Sequence, residues 1–112
     1  MEETTVLCAA SAYEQKYYLN PDFMGLPQPV LDELQISCVL FTAEIGGIFT
    51  ISYDEEGHLQ LTTEAKESDF SYDEIGGALR IKQLQEEKRE LFRSLELFYQ
   101  IFVLGVDMEE AE

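Results

Sequence analysis

An α+β domain, three helices packed with one antiparallel β-hairpin, is the fold that this 112-residue sequence predicts. Two patterns carry the prediction. Apolar residues recur at three- and four-residue spacing over most of the chain, which places them on single helix faces. One stretch between them alternates apolar and polar residues around a turn signal, as a hairpin does. The length fits a single domain over residues 1–112, and 46% hydrophobic residues are enough for a buried core.

The first helix is predicted over residues 4–19, where Leu7, Ala10, Tyr13 or Glu14, Tyr17 and Tyr18 fall on one face. Asn20-Pro21-Asp22 ends it, because the residue before proline avoids the helical region. Phe23-Met24-Gly25-Leu26 is an apolar connection in which Phe23 and Met24 are expected to pack. The second helix starts near Pro27-Gln28-Pro29, since proline is tolerated in a first turn. Val30, Leu34, Cys38, Phe41 and Ile45 form its stripe, and Leu31, Val39 and Leu40 widen it, so burial over much of its circumference is expected. Gly46-Gly47 supplies the C-terminal cap. The run Ile36 to Thr42 is also β-prone, and a strand there is the competing reading.

Phe49, Ile51 and Tyr53 alternate onto one face, Asp54-Glu55-Glu56-Gly57 forms a turn, and Leu59 and Leu61 alternate again. This is the hairpin. After a polar loop, Ser71-Tyr72-Asp73-Glu74 has the form of a capping box, with Ser71 at its head. From there to about Leu104 the pattern is helical, with Leu84, Lys88, Leu91, Leu95, Phe98 and Phe102 in one stripe. A helix of that length would run about 50 Å, longer than the roughly 35 Å breadth of a compact domain this size. Either it kinks, at Gly76-Gly77, or its apolar end, Leu95, Phe98, Tyr99 and Phe102, projects to meet a second copy. The acidic tail 105–112 is predicted to fray.

Charge narrows the function classes. Twenty-three Asp and Glu stand against seven Lys and Arg, a formal net charge of −16. Such a surface repels phosphate backbones and anionic lipid, so neither nucleic acid nor membrane is an expected partner, and a basic protein is the partner it would attract. Arg80, Lys82, Lys88, Arg89 and Arg93 fall in one window with three acids, which makes it net +2 and leaves net −18 for the rest. No run approaches the ~20 apolar residues of a membrane span, and the start Met1-Glu2-Glu3 lacks the features of a secretion signal. The cytoplasm is therefore the expected setting. Cys8 and Cys38, each among apolar neighbours, read as buried free thiols.

The local motifs are weak. Glu-Ile-Gly-Gly occurs at 44–47 and 74–77, but the flanking residues differ, and paired glycines serve caps and close packing. Gly76 and Gly77 ahead of Arg80 and Lys82 form a candidate anion site at a helix start, without the spacing of a phosphate loop. Asp54-Glu55-Glu56-Gly57 does not follow the calcium-loop ladder, and His58, the one histidine, has no zinc-ligand spacing around it. No catalytic residue, cofactor site or metal site is predicted.

The segments Tyr17-Tyr18-Leu19-Asn20-Pro21, Leu40 to Gly47 and Tyr72 to Lys82 resemble an uncharacterised family of small acidic proteins from anaerobic Gram-positive bacteria. The resemblance extends over nearly the whole chain and implies a bacterial protein without transferring any activity. The expected function is thus a non-enzymatic acidic interaction module that forms a homodimer through Leu95, Phe98, Tyr99 and Phe102. The alternative is a small ligand-binding or enzymatic domain with an anion site near Gly76-Gly77 and Arg80.

Overall fold

A computed structural model describes residues 4–105. The α+β class holds, with three helices, but the sheet has four antiparallel strands rather than one hairpin. In chain order these are β1 (Thr5–Ser11), β2 (Lys16–Leu19), α1 (Gln28–Ile45), β3 (Ile48–Tyr53), β4 (Leu59–Glu64), α2 (Glu74–Glu87) and α3 (Arg89–Phe102). The sheet order is β2-β1-β3-β4. The acidic tail beyond Gly105 lies outside the described residues.

The predicted first helix is instead the hairpin β1–β2, closed by a turn in which Gln15 adopts φ +53°. A bulge explains why the pattern misled. Register shifts between Val6 and Cys8, so adjacent Leu7 and Cys8 are both fully buried and the two-residue alternation is interrupted. Sheet pairing on both sides of β1 then outweighs the helical spacing of Leu7, Ala10 and Tyr17. Asn20 holds the end of β2, its amide and side chain donating to the Leu7 and Val6 carbonyls.

The second predicted helix and the hairpin at Ile48–Glu64 form as expected. Leu34, Cys38 and Phe41 of α1 are fully buried against Phe49, Ile51 and Tyr53 of β3. The Phe41 and Phe49 rings stack with centroids 4.1 Å apart. Gly47 is irreplaceable in the link, because at φ +70° a Cβ would lie 2.5 Å from the Glu64 carbonyl oxygen. In contrast to the expected broad burial, Ile36, Val39 and Leu40 of α1 are exposed, so this helix is one-sided. Likewise Phe23 is buried but Met24 is not.

The C-terminal helical region is not one long helix, and it does not kink at Gly76-Gly77. Asp73, not Ser71, caps α2, its carboxylate accepting from the Gly76 amide at 2.9 Å. Ser71 donates to Asp69 instead. Gly77 is needed for close packing, since a Cβ there would sit 3.0 Å from the Tyr72 hydroxyl. The break comes at Lys88 (φ −112°, ψ 24°), whose ammonium is anchored to Glu33 of α1 at 2.6 Å. It lets α3 turn back so that Phe92, Leu95 and Tyr99 enter the core.

All three helices thus cover one face of the sheet, the face carrying Cys8, Ala10, Phe49, Ile51 and Tyr53. Replacing Phe41 by Ala should cost about 3–5 kcal/mol of unfolding free energy, the usual range for emptying a core aromatic site. Replacing Phe70, which is 94% exposed, should cost less than about 0.5 kcal/mol. Urea unfolding followed by circular dichroism measures both, and equal costs would contradict the core assignment.

Candidate functional site

The four apolar residues predicted to meet a second copy divide between two sides of α3. Leu95 and Tyr99 face inward and are buried. Tyr99 stacks on Tyr53 at 4.0 Å between centroids, Phe23 stacks on Tyr53 at 5.7 Å, and the Tyr53 hydroxyl donates to the Leu95 carbonyl at 2.9 Å. Phe98 is half-buried and leans on Phe102, with ring centroids 5.2 Å apart. Phe102 itself is 74% exposed, and Leu97, Val103 and Leu104 beside it in sequence are exposed too. No charged residue occurs from Leu97 to Val106. The end of α3 therefore carries an apolar run without charges of its own on a molecule of net charge −16, with the Asp54–Gly57 turn packed beside it at Tyr99, Gln100 and Leu104.

The predicted anion site is neutralised by the chain's own carboxylates. Asp73 takes the Gly76 amide that an anion would use. Arg80 is held between Glu44 and Glu87, at 3.0 Å from each. Lys82 shares its shallow surface depression with Glu44, Glu86 and Glu87. Gly77 is buried against Tyr72, so the two glycines and two cations do not converge on an open space. Among the described residues no group of three His, Cys, Asp or Glu is placed to hold a metal ion. No helix among them is long and apolar enough to cross a membrane.

One cluster was not anticipated as a cluster. Cys8 of β1 and Cys38 of α1 are free thiols, fully buried, with sulfurs 3.6 Å apart. The Tyr17 hydroxyl is sealed beside them without a hydrogen-bond partner. The hydrogen bond with Cys8 and then burial push the Cys38 thiol far above its ordinary range, and burial followed by the nearby thiols does the same to Tyr17. Cys38 and Tyr17 are thus held neutral. The apolar neighbours of each cysteine signalled burial, but a helix through Cys8 offered no way to see the pairing.

A thiolate is the reactive form of cysteine, so the folded protein should resist Ellman's reagent at neutral and mildly alkaline pH. Both thiols should react once urea unfolds the chain. Rapid stoichiometric labelling of the native protein would contradict the burial and the raised Cys38 value.

No curated protein and no solved structure matches the chain. The model of DUF6145, a family of unknown function, matches residues 4–107, which takes in every strand and helix described above. The chain belongs to the DUF6145 family.

Proposed function

We propose that the protein is a non-enzymatic interaction module that self-associates through the outer side of the α3 end. The carrying observation is Phe102, 74% exposed and braced by Phe98, within an uncharged stretch of an otherwise strongly acidic chain. An exposed phenyl ring surrounded by other apolar side chains loses free energy of roughly 25 cal/mol for each Å² removed from water. A twofold-symmetric contact sets each patch against its own copy, which suits an uncharged surface and penalises a charged one. The remaining acidic surface would draw a partner of net positive charge to the assembly. We place the protein in the cytoplasm, where buried thiols such as Cys8 and Cys38 stay reduced. An anion-binding domain is the weaker reading, because Arg80 and the Gly76 amide are already engaged by Glu44, Glu87 and Asp73.

Sedimentation of the full chain at low and high salt tests the proposal. The expected species has twice the 12.8 kDa chain mass and persists at high salt, since screening weakens charge repulsion but not apolar contact. Phe102→Glu should sediment as a monomer with an unchanged circular dichroism spectrum, its side chain being outside the core. A wild-type monomer at every concentration, or a Phe102→Glu dimer as tight as wild type, would overturn the reading.

A further inference from the structure

The edge strand β2 and the clefts on either side of it lie outside the self-association surface. β2 is paired on one side only, to β1. The Asn20 amide bonds the Leu7 carbonyl, and residues in an antiparallel ladder alternate between facing their partner strand and facing away. Tyr18 and Lys16 therefore bond β1, and the main-chain groups of Tyr17 and Leu19 point out from the open edge.

A cleft flanks each side of this edge. On the helix side, Ala10, Tyr17, Val39 and Ala43 line a groove of about 550 Å³ between β2 and α1. On the opposite side, Ala9, Tyr13, Tyr18 and Ile48 line one of about 430 Å³. Lys16 and Tyr17 belong to both. An extended chain laid along β2 would send alternate side chains into the two clefts. Strand addition at a sheet edge is a common mode of peptide capture, with main-chain bonds supplying affinity and alternate pockets supplying selectivity.

Charge identifies the occupant. Lys16 and Lys66 both border the second cleft, and neither is in a salt bridge among the described residues, although the chain carries 23 carboxylates. Lys66 lies over the Tyr13 ring, 4.7 Å from its centroid. The Tyr13 hydroxyl donates to Asp69, and Glu14 is the one acid lining the cleft. A second copy is a poor fit, because its β2 reads Lys-Tyr-Tyr-Leu and brings another cation with no carboxylate. A lysine on an edge strand also discourages pairing between like edges.

We infer that the β2 edge and its two clefts bind an extended segment of another protein, with apolar residues at alternate positions and one carboxylate to meet Lys16 and Lys66. Only that one residue need be acidic. The body of the partner is net basic, to match the field of the rest of the chain.

The test is a random linear-peptide library displayed on phage, selected against the full chain and counter-selected against Lys16→Glu, an exposed change checked by circular dichroism. The enriched peptide is then synthesised and titrated into ¹⁵N-labelled protein. The inference expects a consensus of alternating apolar residues with one Asp or Glu, and amide shifts centred on Tyr17 and Leu19. Binding to Lys16→Glu should be at least about fivefold weaker, since the change removes an exposed ion pair and sets a like charge against the peptide carboxylate. N-methylation of alternate peptide amides, which removes the main-chain donors without touching the protein, should abolish binding. Absence of any consensus, a consensus without an acid, shifts away from β2, or undiminished binding of the N-methylated peptide would each overturn it. So would a β2 edge found occupied by a second copy of the chain. Neither this result nor the sedimentation result depends on the other.

Discussion

Tyr53 is the point at which the parts of this protein meet. Its ring is fully buried in a three-way cluster with Phe23 and Tyr99, and its hydroxyl must find an acceptor there, because an unpaired buried phenol costs the desolvation of that group. The Leu95 carbonyl meets that need. The bond requires α3 to lie over the end of β3, and a helix running straight on from α2 would carry Leu95 and Tyr99 away from it. The break at Lys88, anchored by Glu33, reconciles the two demands. Phe102 faces outward as a consequence. With Leu95 and Tyr99 committed to the core, no described residue of the chain covers the opposite side of the same helix end.

The second constraint is charge. A chain of net −16 repels copies of itself and other acidic surfaces, so contact is least costly where carboxylates are absent. Two regions come nearest to that condition for different reasons. The end of α3 has no charged residue from Leu97 to Val106, whereas the edge of β2 sets Glu14 beside Lys16 and Lys66, neither of which is in a salt bridge among the described residues. The basic residues Arg80, Lys88 and Arg89 of the α2–α3 region are instead spent on Glu44, Glu87, Glu33 and Glu86 within the molecule. Lys82 and Arg93 of that region are, like Lys16 and Lys66, in no salt bridge among the described residues.

The parts that sequence reasoning reached were those governed by local chemistry. The alternation of Phe49, Ile51 and Tyr53, the Asp54–Gly57 turn and the stripe from Leu34 to Phe41 each carry their own instruction, and each formed as read. The β1–β2 hairpin was illegible because its bulge places Leu7 and Cys8 side by side in the core, while Leu7, Ala10 and Tyr17 happen to fall at helical spacing. The break at Lys88 has no glycine or proline to announce it, since Glu87-Lys88-Arg89 are good helix formers, and distant partners, Tyr53 and Glu33, select it. Of the proposed self-association surface, the apolar run on α3 was legible in the sequence. Which residues face inward was not, because that depends on the stack with Phe23 and Tyr53.

Whether a second copy covers the outer side of the α3 end is read by hydrogen exchange of the unmodified full chain, followed by mass spectrometry across a range of protein concentrations. Amides from Leu97 to Leu104 should become more protected as concentration rises, while those of β2 stay unchanged. Exchange at the α3 end that is independent of concentration would contradict a second copy there.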